Sequence, residues 1–303
     1  MPGSPDSSTS PLTRQLASEL LTEACRSARL DPTDARLIRL GENALFHLPA
    51  ASAVVRIARS MGYWAEVANE VRVSRWLAAI DFPAARVLDV DQPVDIYGHP
   101  VTFWEFIDGR DGSREDIGIL GSVLRRMHAL PRPVSFTLPT EHVLARVEPR
   151  IAVAQVPDKD KRFLLALLRE LETEISLLQF PLPAAPTHGD AHSENIMIHN
   201  GEAVLIDFEH VAWGQPEWDL SMTATEFVSA GWWNASEYRA FTDAYGYDVM
   251  TWTDGFDVLR RVHELKMTTW LMQNVSESSE IAHEYQVRMA TIRDGISATW
   301  RPF

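Results

Sequence analysis

The chain has 303 residues, 46% hydrophobic and 23% charged, enough for one large or two moderate domains with real cores. Its 28 Lys and Arg against 42 Asp and Glu give a formal net charge of -14, which argues against a nucleic-acid binder, since such a protein needs a basic stripe. A single cysteine, Cys25, excludes an intrachain disulfide and suggests a reducing, cytoplasmic setting, and no apolar run is long enough for a membrane span.

Residues 1–11, rich in Ser and Pro and without a basic-plus-apolar signal pattern, read as a disordered tail. Leu12 to Ala28 follows with helical periodicity, placing Leu16, Leu20, Leu21 and Ala24 on one face. Ala35–Leu40 and Leu45–Leu48 read as strands around Gly41-Glu42-Asn43, and Ala53–Ala58 as a third strand. Trp64 to Ala79 is an amphipathic helix that stops before Pro83. Arg86–Val90 and Val101–Ile107 read as two more strands, which completes a β-β-β-α-β-β order.

Beyond the polar, Gly-bearing stretch Asp108 to Gly112 the pattern turns helical, so a boundary falls near Asp108, between residues 12–108 and 109–303. Helices are expected at Asp116–Leu130, Lys161–Leu178, Asp219–Val228, Ala235–Tyr245, Phe256–Asn274 and Ser279–Trp300. From Val211 to Asp257 eight acids stand against Arg239 alone. Such a face either concentrates cationic small molecules or serves solubility.

The chemistry concentrates between Thr187 and His210, in the stretch THGDAHSENIMIHNGEAVLIDFEH. Asp190 and Asn195 have the spacing of a kinase catalytic loop, H-R-D-x-x-x-x-N. In phosphoryl transfer of that type one aspartate accepts the substrate hydroxyl proton, while an asparagine and a second aspartate hold magnesium. Two β-prone runs separated by Asn200-Gly201 predict a hairpin that folds Asp207 back alongside Asn195. Asp207 ends an apolar strand, where a charge is costly unless paired or bound to metal.

These motifs resemble the aminoglycoside phosphotransferase and choline kinase family, with an HGD…N loop and an I-D-F strand end. Trp213 to Leu220 looks like the family's G-D-P-x-x-D-L element, with Gln215 in place of its aspartate. The resemblance implies an α+β, two-lobed protein-kinase-like fold with an antiparallel-sheet N-lobe at 12–108 and a mostly helical C-lobe at 109–303. It also implies a Mg²⁺-dependent kinase that uses ATP or GTP on a small-molecule hydroxyl. The runner-up is a non-catalytic nucleotide-binding regulator of the same fold.

By the same resemblance, Asp190 is the catalytic carboxylate and Asn195 and Asp207 are the metal ligands, while His188 and Asp219 support the loop. Gly41 and Asn43 stand in the loop over the phosphates, and Arg56 stands where the family has the phosphate-contacting lysine. Glu70 is its best helical partner, with Glu66 one turn earlier as the rival, because residues four apart share a face. Glu105 and Ile107 fall in the hinge whose backbone meets the base. Glu209 takes the place of the glycine of D-F-G. His192 and Glu194 face either acceptor or solvent; from the acidic helical segment itself, Glu226 and Glu264 are candidate acceptor contacts, and Trp232-Trp233 and Trp270 either line that pocket or belong to the core. Oligomeric state is not readable.

Overall fold

A computed structural model describes residues 12–41 and 43–303. The expected tail at 1–11, and Glu42 of the Gly41-Glu42-Asn43 turn, lie outside the described residues. In chain order the elements are α1 (Arg14–Ala28), β1 (Arg36–Leu40), β2 (Asn43–Leu48), β3 (Ala53–Ala58), α2 (Trp64–Ala79), β4 (Val94–Ile96), β5 (His99–Glu105) and β6 (Arg110–Asp111). Then come α3 (Ile117–His128), α4 (Val147–Val153), α5 (Asp158–Leu177), β7 (Ala185–Thr187), β8 (Ile196–His199), β9 (Glu202–Leu205) and β10 (Ala212–Gly214). The chain closes with α6 (Glu217–Thr225), α7 (Ala235–Tyr245), α8 (Thr253–Leu271) and α9 (Ser279–Asp294).

Two compact units divide these elements. The first takes the described part of Met1–Asp111 together with Pro133–Phe136 and Asn195–Val211. Its five-stranded antiparallel sheet runs β1-β2-β3-β5-β4. Strand periodicity sends Ala44, Phe46, Leu48, Val55, Ile57, Val101 and Phe103 to one face, where they form a core with Ala17, Leu20, Leu21, Ala24 and Cys25 of α1. Thr13 caps α1 by accepting from the Leu16 N–H at 3.2 Å. The period of two turns Arg56, between Val55 and Ile57, to the opposite face.

The expected strand at Arg86–Val90 is not formed, apart from a single bridge between Val87 and Trp104. Two backbone bonds flank that bridge, Leu88 N–H to Phe103 C=O at 2.9 Å and Glu105 N–H to Arg86 C=O at 2.8 Å, and side chains supply the rest of the pairing. Gln92 exchanges bonds with the Phe103 backbone, its Oε1 accepting from N–H at 2.8 Å and its Nε2 donating to C=O at 3.3 Å. The Ser74 hydroxyl accepts from the Val87 N–H at 3.0 Å and donates to the Ala85 carbonyl at 2.8 Å. The hairpin partner of β5 is instead β4.

The same unit holds the expected β8–β9 hairpin, with Ile196 opposite Leu205 and Met197 opposite Val204. Asn200 and Gly201 adopt φ 52° and 82°, the double left-handed turn that an Asn-Gly pair favours. The hairpin is fastened to the segment after α2, since Ala85 N–H donates to Leu205 C=O at 2.8 Å and Leu205 N–H to Pro83 C=O at 2.9 Å. β6 adds a third strand, Arg110 pairing with Ile198. Gly109 leads into it, because a Cβ there would sit 2.6 Å from the Ile198 carbonyl oxygen.

The second unit is mostly helical and comprises Gly112–Arg132, Thr137–Glu194 and Ala212–Phe303. α3 packs on α7 at Gly121, where a Cβ would meet the Phe241 carbonyl oxygen at 2.5 Å. The short strands β7 and β10 pair antiparallel, Thr187 opposite Ala212. α6 runs on into a π-helical turn, Glu226–Ala230. α9 is shorter than the expected Ser279–Trp300. It stops at Gly295, at φ 68°, and the chain beyond lays Trp300 into the interior, its N–H donating to Ala230 C=O at 3.0 Å. A small antiparallel-sheet lobe and a larger helical lobe make this the α+β, protein-kinase-like fold.

Candidate functional site

In the first unit one guanidinium gathers the charge. Arg56 lies on the central strand β3, between Leu45 of β2 and Thr102 of β5. Its Nη1 donates to Glu70 Oε1 at 2.5 Å and, more weakly, to Asp207 Oδ1 at 3.5 Å, and its Nη2 to Glu209 Oε2 at 2.8 Å. Asn43, with its amide oxygen turned to the guanidinium, accepts from Nε at 3.1 Å and Nη2 at 2.8 Å. Glu70, not Glu66, is therefore the helical partner. Glu66 keeps a buried Oε2 without a hydrogen bond.

Burial pushes the Glu70 carboxyl up to about 7, reinforced by Asp207 and Glu209 and opposed by Arg56. Arg56 is itself held above its ordinary value: burial works against the charge, and the three carboxylates outweigh it. Asp207 stands at φ 61°, a left-handed conformation that costs a non-glycine residue energy and turns the strand end sharply. Ile206 N–H donates to Asn195 C=O at 3.0 Å, so the hairpin brings Asn195 next to the residue that precedes Asp207. An amide carbonyl and a carboxylate form the oxygen-only donor set that hard Mg²⁺ prefers, so these residues fit that ion.

The other predicted residues of this unit lie at or beyond strand ends. Gly41 closes the β1–β2 turn, its N–H donating to Asn43 C=O at 3.0 Å. Glu105 ends β5 with its N–H on Arg86 C=O at 2.8 Å, and Ile107 C=O accepts from Gly109 N–H at 3.0 Å. Trp104 is a core residue, whereas Phe106 stacks on His47 with centroids 4.0 Å apart.

In the second unit Asp190 follows β7 on a turn whose geometry Asp219 dictates. The buried Asp219 carboxylate accepts from the backbone N–H of His188 at 2.7 Å and of Gly189 at 2.8 Å. It also accepts from His128 Nε2 at 2.9 Å, while His128 Nδ1 meets Tyr245 Oη at 2.9 Å. Burial acts to raise Asp219, yet the His128 hydrogen bond, the His128 and His188 charges and the His188 amide hold it below the usual carboxylate range. Glu141 lies close by, accepting from Thr187 Oγ1 at 3.1 Å and Gln215 N–H at 3.2 Å. Its side chain fills the space a Gly214 Cβ would need, which accounts for that glycine. Burial raises Glu141 to about 8, with Asp219 pushing the same way.

His192 Nε2 stands 3.5 Å from Asp190 Oδ2. Burial acts to lower His192, but hydrogen bonding to Asp190 and the charges of Asp190, Glu226 and Glu194 raise it. Glu226, the first residue of the π turn, accepts from Trp233 Nε1 at 2.8 Å, and burial lifts its carboxyl to about 7. Trp233 carries the Arg114 guanidinium over its ring at 5.2 Å. Glu264 is buried, accepting from Ser229 Oγ at 2.6 Å and from Arg260. Trp232 donates through Nε1 to the Trp300 carbonyl at 2.7 Å, and Trp270 is exposed. Sequence reasoning did not single out His128, Glu141 or Tyr245. They reach Asp219 and Thr187 from distant elements, and no local motif marks them.

The fold places the chain in the protein-kinase-like class. A profile of the Phosphotransferase enzyme family (APH) matches residues 34–261, and the chain belongs to that family. Among solved structures it is similar to an amicoumacin kinase, hAmiN, at 17% identity and TM-score 0.72, covering 93% of this chain and 94% of that one. It is similar to a choline/ethanolamine kinase family protein from Mesorhizobium loti at 17% identity and TM-score 0.61, covering 91% and 94%. A third is the aminoglycoside phosphotransferase APH(3'')-Id of Streptomyces rimosus, at 20% identity and TM-score 0.60, covering 80% and 98%. At these identities the likeness shows the fold. No curated protein matches the sequence. Among the described residues no helix is long and apolar enough to cross a membrane.

Proposed function

We propose that the chain is a cytoplasmic, nucleotide-dependent O-phosphotransferase that moves the γ-phosphate of ATP or GTP to a hydroxyl of a small molecule such as an aminoglycoside or amino-alcohol. The observation that carries the reading is the meeting of Arg56, Glu70 and Asp207 at one guanidinium. In kinase-type transfer that set aims a cation at the phosphates and presents a carboxylate to the metal.

Asp190 accepts a hydrogen bond from the acceptor hydroxyl and orients its oxygen towards the γ-phosphorus, and His192 fixes the carboxylate from beside it. Asn195 and Asp207 would hold Mg²⁺, which when bound neutralises phosphate charge. Gly41 and the β1–β2 turn cover the phosphates, and the backbone at Glu105 and Ile107 receives the base. On the acceptor side, Glu226, Glu194, Asp190 and Glu264 supply negative charge for an amine.

The test is Mg²⁺-dependent ADP or GDP release over a panel of hydroxyl-bearing amines, aminoglycosides and sugars, with Asp190→Ala in parallel. Acceptor-stimulated release that vanishes in the variant supports the reading. Failure of the wild type to bind either nucleotide overturns it. Nucleotide binding with no turnover of any acceptor favours the regulatory alternative.

A further inference from the structure

The Arg56 guanidinium has five N–H donors, and every one is directed at an acceptor of the chain itself. Nη1 serves Glu70 and Asp207, Nη2 serves Glu209 and Asn43, and Nε serves Asn43. A phosphate oxygen that meets this guanidinium must therefore take a donor from one of the four.

The four are not equally replaceable. Glu70 is buried, bonds Nη1 at 2.5 Å and comes from the middle of α2, and Glu209 is only 19% exposed. Both make charge-assisted bonds whose loss would strand a carboxylate. Asp207 offers one long contact. Asn43 is neutral, and its single carbonyl oxygen accepts from both Nε and Nη2, the position one phosphate oxygen would take. It also begins β2, where its side chain is only partly buried.

We propose that Asn43 is a placeholder: its amide oxygen holds the side fork of Arg56 and yields it to a nucleotide phosphate oxygen, while Glu70 and Glu209 keep the guanidinium fixed through the exchange. This rests on the nucleotide-binding reading above and assigns Asn43 a role opposed to that of a direct phosphate contact. Arginine rather than lysine follows from the same arrangement. Only a planar fork reaches Glu70 and Glu209 at one end and still offers a paired edge at the side.

The experiment is titration of Mg²⁺–ATP and Mg²⁺–GTP into wild type, Asn43→Ala and Asn43→Ser, and into Arg56→Lys with and without Asn43→Ala, with melting curves to establish that each variant is folded. Removing the placeholder lifts the cost of vacating the fork, so Asn43→Ala and Asn43→Ser should bind about three- to tenfold more tightly than wild type. The gain should disappear in the Arg56→Lys background, where no side fork exists. Unchanged or weaker binding by the folded single variants overturns the proposal, as does a gain that persists with lysine. Absence of binding by wild type would instead overturn the nucleotide-dependent reading itself.

Discussion

Asp219 Oδ1 accepts the Gly189 N–H at 2.8 Å, while Oδ2 takes the neighbouring His188 N–H at 2.7 Å, so one buried carboxylate shapes the turn that presents Asp190. Gly189 sits at φ 82°, a conformation the turn requires. Asp219→Asn would point an amide donor at one of these N–H groups and remove the charge that faces His128. The expected cost is about 3–5 kcal/mol in urea unfolding at neutral pH. Because the folded value of Asp219 is depressed, its contribution is complete above the ordinary aspartate range and is lost as pH falls through the lower, folded value. The variant should therefore lose part of the acid dependence of the midpoint.

Glu141 has the opposite sign. Its folded value is raised from 4.5 to about 8, so ionisation is favoured in the unfolded chain first and stability falls as pH rises between those two values. The slope is at most about 1.4 kcal/mol per pH unit for one such group. Glu141→Gln keeps the size and removes the titration. Urea midpoints from pH 5 to 8 should decline less steeply in the variant than in wild type, and equal slopes would refute the assignment.

Much of this arrangement is legible along the chain because it is local. Asn200-Gly201 fixes a hairpin by turn chemistry alone, and the period of two in β3 separates Arg56 from Val55 and Ile57. What escapes is set by tertiary partners. The Arg86–Val90 segment has strand composition, yet its pairing with β5 shrinks to one bridge because the side chains of Gln92 and Ser74 take the Phe103 and Val87 N–H groups. Glu66 and Glu70 are indistinguishable by helical spacing, and only the sheet beneath α2 chooses Glu70. Ser279–Trp300 keeps apolar residues to its end, yet Gly295 breaks it so that Trp300 can be buried. Glu209 in the place of the D-F-G glycine has no local signal of its partner, and the fold makes it an anchor for Arg56.

Arg56→Lys should leave one ammonium to serve acceptors on several sides, breaking the link to Glu209 or to Asn43. The expected outcome is a loss of about 10- to 100-fold in kcat/KM for the nucleotide, corresponding to about 1.4–2.7 kcal/mol. Steady-state kinetics at saturating acceptor measures it.

Gly201→Ala isolates backbone strain, since nothing lies within 4 Å of the added Cβ while φ is 82°. The substitution should cost about 1 kcal/mol or more of stability. It should also weaken metal-dependent nucleotide binding, because the turn sets the register that aligns Asn195 with Ile206 and Asp207. Urea unfolding and a magnesium titration check the two effects separately.

Glu226 bears on the acceptor. With its carboxyl raised to about 7, it gains charge as pH rises through neutrality, so KM for an amine-bearing acceptor should fall between about pH 6 and 8 while the amine stays protonated. Glu226→Gln should flatten that dependence and raise KM at the alkaline end. A KM–pH profile unchanged by the substitution would remove Glu226 from the acceptor site.

The most direct measurement follows a labelled γ-phosphate of ATP or GTP into the hydroxyl of an acceptor, for wild type and Asp190→Asn. Wild type should label at least one hydroxyl-bearing amine, and loss of the carboxylate should slow the transfer about 10²- to 10⁴-fold with nucleotide affinity retained. Equal transfer by Asp190→Asn, or no nucleotide binding by wild type, would contradict the account.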